Sequence, residues 1–217
     1  MVRRTGRKLL AFDRRLGVRF LAGADEAGRG SLAGPLVTAA VLFDYEGLRD
    51  HRVRPLGLLN DSKQVAPDDR EALFRAVAGC ATRIAVRVIP SSVIDRDGLH
   101  RSNLRGLRET LADLCPPAEA CLVDGFRLGP LAPEHQAVVD GDERSAVIAA
   151  ASIVAKVVRD RTMRRMDALY PGYGFVSHVG YITPGHSAVV RRRGPTEIHR
   201  RSFEARCYAE QYAGARD

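Results

Sequence analysis

Asp25 and Glu26 stand side by side at the end of the apolar run Phe20-Leu21-Ala22-Gly23-Ala24, and Ala27-Gly28-Arg29-Gly30 follow at once. Two adjacent carboxylates repel each other unless a cation or a proton is shared between them, and an apolar strand supplies neither. Asp124 follows Ala120-Cys121-Leu122-Val123 and precedes Gly125, and Asp142 follows Gly141. In open α/β sheets such strand ends converge on one edge, where ligand sites form. If the three segments are neighbours in the sheet, their carboxylates gather within a few ångströms. Oxygen ligands of this kind, without His or Cys, suit Mg²⁺ or Mn²⁺. Two such ions about 3.5–4 Å apart can hold both the attacking and the leaving oxygen of a phosphodiester displacement, so nuclease chemistry is the expectation. The glycines after the acids allow left-handed backbone angles and close approach of a ligand to main-chain N–H groups, and Arg29 puts a fixed guanidinium in the same turn.

Two of these acids have plainer readings that the residues alone leave open. Asp142 stands where an N-cap would, before a helix beginning at Glu143. Asp124 before Gly125 suits a turn. Asp25-Glu26 has less room for such a role, because surface acids rarely end a buried strand as a pair. Other chemistries lack their residues: there is no G-x-S-x-G, H-E-x-x-H, G-x-G-x-x-G or Walker loop. The six histidines, His51, His100, His135, His178, His186 and His199, are scattered and read as surface or hydrogen-bonded structural residues.

The elements that must position the acids follow from periodicity. Arg19–Asp25 and Leu36–Phe43 read as strands separated by the turn Gly28–Pro35. Residues 44–60, with Gly47, Pro55 and Gly57 and no clear period, read as a surface connection. Pro67 opens a helix with acids in its first turn, running to about Gly79. Arg83–Ile89 is a third strand ending at Pro90. From Ser91 to Leu114 apolar residues recur at helical spacing, as one helix stopped by Pro116-Pro117. Ala120–Asp124 and Gln136–Val139 are the fourth and fifth strands, and a long helix runs from Glu143 to about Leu169. The remainder is glycine-rich around Tyr173 and Tyr181 and then helical. Strands mixed with helices in this order imply an α/β domain with a mixed sheet.

The chain has 217 residues and a net charge of +8, and only Lys8, Lys63 and Lys156 of its 34 basic residues are lysines. That size suits one well-packed domain, and the arginine excess suits a polyanionic partner. Cys80, Cys115, Cys121 and Cys207 show no metal-ligand spacing and read as reduced thiols. The basic start, Met1 to Lys8, is followed by no long apolar stretch, and Ala146–Val158 is broken by Ser152 and Lys156. A cytoplasmic protein without membrane insertion is the expectation.

Several blocks taken together resemble bacterial ribonuclease HII. They are Gly23-Ala24-Asp25-Glu26-Ala27-Gly28-Arg29-Gly30 with Ala33-Gly34-Pro35, Leu59-Asn60-Asp61-Ser62-Lys63, Val123-Asp124-Gly125, Gly141-Asp142, and the run Ala149 to Asp160. Tyr170 to Phe175, His178 to Thr183 and His199-Arg200-Arg201-Ser202-Phe203 complete the order. The resemblance implies an RNase H-like fold of the α/β class, a mixed five-stranded sheet flanked by helices with a C-terminal helical extension. It spans a single catalytic domain, residues 1–217, with a core of about 19–205 and a basic N-terminal segment 1–18. It implies endonucleolytic cleavage of the RNA strand of RNA–DNA hybrids and of duplex DNA at embedded ribonucleotides, leaving a 3′-hydroxyl and a 5′-phosphate, as in ribonucleotide excision repair. Asp25, Glu26, Asp124 and Asp142 would hold two Mg²⁺ or Mn²⁺ ions. Gly28, Arg29 and Gly30 would read the ribose 2′-hydroxyl, which distinguishes RNA from DNA. Tyr181 resembles the family tyrosine that packs on the sugar following the ribonucleotide, and Lys63, Ser152 and Lys156 would contact phosphates.

The chain departs from the family pattern at Val179 and Ile182, which flank Gly180-Tyr181. Gln211-Tyr212-Ala213-Gly214 makes no convincing sliding-clamp peptide, and the compact basic chain suits a monomer. Two other functions fit parts of the sequence: a DNA-acting nuclease or resolvase of the same fold, and a non-catalytic nucleic-acid-binding protein. The second leaves the placed acids unexplained, because acids near phosphate repel it unless a metal intervenes.

Overall fold

A computed structural model describes residues 6–48, 54–59, 62, 65–203, 205 and 207–208. Lys63 and the segment 211–214 lie outside the described residues. In chain order the elements are α1 (Gly6–Arg14), β1 (Phe20–Ala27), β2 (Leu36–Asp44), α2 (Pro67–Cys80), β3 (Arg83–Ile89), α3 (Ser91–Asp97) and α4 (Leu99–Ala112). They continue with β4 (Ala120–Asp124), β5 (Gln136–Val138), α5 (Ala146–Leu169), α6 (Phe175–His178) and α7 (Pro184–Arg193). Short 3₁₀ turns cover Pro55–Leu58 and Gly141–Glu143. The five strands form one mixed sheet in the order β3-β2-β1-β4-β5, the α/β architecture expected. β1 runs antiparallel to β2 and parallel to β4, and β4 runs parallel to β5.

β1 and β2 are apolar on both faces and buried along nearly their whole length, as central strands covered on both sides must be. β3, at the sheet edge, carries only two buried residues, Ala85 and Ile89. Gly23 lets β1 approach the start of α5: a Cβ there would lie 2.5 Å from the Val147 carbonyl carbon. No described helix is long and apolar enough to cross a membrane.

The chain divides into two compact units. The first comprises Met1–Ala27, Val37–Arg87 and Leu104–Val157, and the second Gly28–Leu36, Val88–Asn103 and Val158–Asp217. In the first, Ala22, Ala24, Leu42, Leu107, Leu111 and Val123 belong to one apolar core between sheet and helix. In the second, Ala33, Met163 and Phe175 form one cluster and Leu36, Ile89 and Ile94 another. The second unit also holds three close imidazoles. His178 stacks on His186 with ring centroids 4.1 Å apart, and His186 Nε2 lies 3.1 Å from His199 Nε2.

Three local expectations are corrected. The single helix over 91–114 is two, α3 and α4, separated by Gly98 at φ +84°, a conformation no helix interior accepts. The connection 44–60 is not all surface, because Leu48, Leu56 and Leu59 are buried. The long helix begins at Ala146 rather than Glu143, since Gly141–Glu143 first makes a separate 3₁₀ turn. The first-turn donors of α5 are met from elsewhere: Val147 N–H donates to Asp13 Oδ2 at 3.0 Å and Ile148 N–H to Ser145 Oγ at 3.5 Å. Asp142 is therefore not the N-cap of α5.

Candidate active site

The first unit gathers the acids through strand register. β1 and β4 pair in parallel with Ala24 opposite Val123, so the next residues along each strand, Asp25 and Asp124, come level. Level residues in a parallel pair project from the same face of the sheet. β5 pairs with Asp124 through Val138, and the chain then turns through Asp140, at φ +52°, into Gly141 and Asp142. The Gly141 N–H donates to Asp124 Oδ1 at 2.7 Å, which fixes that carboxylate against the turn carrying Asp142. A Cβ at Gly141 would lie 2.6 Å from Ile148 Cδ1 and 3.1 Å from Asp124 Oδ1, so a side chain there would press on both.

Asp25 is buried, with 5% of its surface exposed, while Glu26 and Asp124 are half-buried. Burial first, then the charges of Glu26 and Asp124, hold the Asp25 carboxyl well above the usual carboxylate range. The Ser152 hydroxyl and the Glu26 N–H, 2.7 Å from Asp25 Oδ1, pull the other way. Ser152 Oγ also lies 2.9 Å from Ser62 Oγ. Ser152 is thus buried and turned toward the acids, one helical turn before the half-buried Lys156. Among the described residues no three His, Cys, Asp or Glu side chains stand as a ready-made metal-holding group. The donor set nevertheless fits a hard divalent cation. Three mutually repelling carboxylates, one of them buried, lose their repulsion when such an ion is shared, and all the donors are oxygens.

The second unit contains the glycine turn. Gly28 has φ +94°, and a Cβ there would lie 2.1 Å from Arg159 Nε, so both conformation and space demand glycine. Arg29 and Gly30 are exposed, and nothing lies within 4 Å of where a Gly30 Cβ would stand. Ser31 forms a bridge with Tyr181 and Ala33 one with His199. Leu32 N–H and Ala33 N–H both donate to Gly180 O, at 2.9 and 3.1 Å. The half-buried Tyr181 has the Arg159 guanidinium 5.0 Å from its ring centroid. Residues absent from the expected set also prove well placed: Ser62, Arg159 and Arg200. Arg159 and Arg200 lie inside the blocks quoted above, but nothing in their spacing distinguishes a buried arginine from a solvated one.

Comparison with known proteins gives the family. The sequence model of the family described as Ribonuclease HII matches residues 22–206. A ribonuclease HII of Geobacillus kaustophilus is 42% identical over 199 residues, covering 90% of this chain and 74% of the relative. One of Salinispora arenicola is 47% identical over 206 residues, covering 94% and 74%. Among solved structures, the ribonuclease H2 of Pyrococcus horikoshii superposes with a TM-score of 0.75 at 26% identity, over 91% of this chain and 100% of that one. With level acids on a parallel strand pair, a glycine-demanding turn directly after them and relatives matching over nine-tenths of its length, the chain belongs to the ribonuclease HII family of hydrolytic nucleases.

Proposed function

We propose that this enzyme is an endoribonuclease that cuts the RNA strand of RNA–DNA hybrids and duplex DNA at single embedded ribonucleotides, leaving a 3′-hydroxyl and a 5′-phosphate. Asp25, Glu26, Asp124 and Asp142 would hold two Mg²⁺ or Mn²⁺ ions, which would supply Lewis-acid chemistry for activating water and neutralising charge on the leaving oxygen. The observation that carries this reading is Asp25, a buried carboxyl level with Asp124 and beside Glu26, which is costly without a shared cation.

The protein's own groups supply orientation. The Gly141 N–H directs the Asp124 carboxylate, and the Ser152 hydroxyl, braced by Ser62, directs that of Asp25. Ser152 thereby aims an acid, and Ser152, Lys156 and Lys63 are assigned to phosphates. Gly28-Arg29-Gly30 reads the ribose through main-chain groups and Tyr181 packs against the following sugar. Only Ala27 separates Glu26 from Gly28 in the sequence, and residues 1–217 are assigned to a single catalytic domain.

The test is cleavage of a duplex carrying one ribonucleotide by the wild type and by Asp124→Asn. Losing about 4 kcal/mol of transition-state stabilisation corresponds to about 10³-fold in rate, and a loss of that size is expected. An uncut substrate with the wild type, or undiminished cutting by the variant, contradicts the proposal.

A further inference from the structure

Two arginines of the second unit, Arg159 and Arg200, have no exposed surface, and among the described residues every hydrogen bond they make goes to a main-chain carbonyl of the segment 29–35. Arg159 donates from Nε to Pro35 O at 3.1 Å and from Nη2 to Ala33 O at 3.3 Å. Arg200 donates from Nε to Gly34 O at 3.1 Å and from Nη1 to Arg29 O at 2.9 Å. Arg159 Nη1 and Arg200 Nη2 are buried with no acceptor among the described residues. Burial lowers the pKa of both guanidiniums, and the positive charge of Arg159 lowers that of Arg200 further, to about 9. Two buried like charges without full hydrogen bonding are a costly way to brace a loop, since apolar side chains would fill the same space without the desolvation penalty.

The geometry says what this arrangement does. The Arg29–Gly30 peptide is trans, so its C=O and N–H point in opposite directions. With Arg29 O held on Arg200, the Gly30 N–H points away from the Arg200 contact, on a residue that is itself exposed. Arg159 fills the space under Gly28 that a Cβ would need and lies against the ring of Tyr181. A guanidinium over a tyrosine ring restricts its tilt and adds electrostatic attraction. One buried pair thereby fixes both a main-chain donor and an aromatic face.

Resting on the ribose-reading role given above to Gly28–Gly30 and Tyr181, we propose that Arg159 and Arg200 are positioning residues for sugar discrimination. They preset the Gly30 N–H and the Tyr181 ring so that a ribonucleotide is favoured over a deoxyribonucleotide, without touching the substrate themselves. Lysine cannot replace them, because a single ammonium cannot span two carbonyls as the planar fork does.

The test compares wild type, Arg159→Lys and Arg200→Lys in two measurements: kcat/KM on a single-ribonucleotide duplex, and the inhibition constant of the same duplex made entirely of DNA. Misplacing a contact by about 1 Å costs up to about 100-fold, so kcat/KM should fall by about 10- to 100-fold. The inhibition constant, which reports contacts to the phosphate backbone, should stay within about twofold. A folded lysine variant with unchanged kcat/KM, or one whose kcat/KM falls while its inhibition constant rises by a similar factor, overturns the proposal. If neither lysine variant folds, Gly30→Pro removes the aimed N–H at an exposed position. It should reproduce the selective loss, and an unchanged kcat/KM overturns the proposal. A wild type that ignores the ribonucleotide refutes the function proposed above, whereas a discriminating wild type with equally discriminating variants refutes only the role of the arginines.

Discussion

His199 is an imidazole kept neutral by its surroundings. Its Nδ1 accepts the Thr196 N–H at 2.9 Å, Nε2 faces His186, and burial, then the neighbouring His186, hold its pKa down to about 3. Burial likewise holds His186 down to about 4. The unfolded chain binds protons near pH 6.5 while the fold does not, so this stability is present above 6.5 and is lost as pH falls toward 4. His199→Asn, which keeps an acceptor near Nδ1, should therefore lower the melting temperature more at pH 7.5 than at pH 5.0. A deficit that is equal at both pH values, or larger at pH 5.0, shows that the imidazole is not held neutral. At this scale Asp25 and Glu26 are legible in sequence, because acids ending an apolar strand need a chemical reason. Arg159, Arg200 and Ser62 are not legible: their burial depends on segments far away in the chain, and most other described arginines are exposed or half-buried.

Among the elements, α1 and α5 are tied through Asp13. This buried carboxylate accepts the Tyr45 hydroxyl at 2.5 Å and the Val147 N–H at 3.0 Å, in the first turn of α5. Cap removal costs about 1–2 kcal/mol, and about 2–4 °C of melting temperature accompanies each kcal/mol at this chain length, so Asp13→Ala should lower the transition by several degrees. Burial pushes the Asp13 carboxyl up to about 6, against the hydrogen bonds that lower it. A raised acid stabilises the fold below its unfolded value of 3.8 and loses that contribution as pH rises through 6. The deficit of Asp13→Ala should thus be larger at pH 5.0 than at pH 7.5, the opposite sign to His199→Asn, as two melting curves per variant will show. Strand positions are readable from the apolar runs because central strands buried on both faces carry an unbroken signal. Helix limits read less well. Gly98 splits a continuous apolar stripe, and the start of α5 depends on caps from Ser145 and from Asp13, the latter more than a hundred residues away.

For the whole molecule, the α/β class and mixed sheet follow from the order of strands and helices, but two features do not. The strand order β3-β2-β1-β4-β5 is decided by which apolar faces find each other, and each compact unit is assembled from three separate stretches. Neither leaves a trace in local periodicity. The net charge of +8 speaks for a polyanion without saying which, since phosphate attraction is common to DNA and RNA. What separates the two is one hydroxyl per sugar, and the most direct measurement uses that difference alone. Two duplexes, identical except for a single 2′-hydroxyl in one strand, are incubated with the enzyme in Mg²⁺ and the ends of any products are identified. The expected result is a cut at the ribonucleotide, with 3′-hydroxyl and 5′-phosphate ends, and an intact all-DNA duplex. Equal cutting of both duplexes, or no cutting of either with the divalent ion present, would contradict the joint reading of the acids Asp25, Glu26, Asp124 and Asp142 and the turn Gly28-Arg29-Gly30.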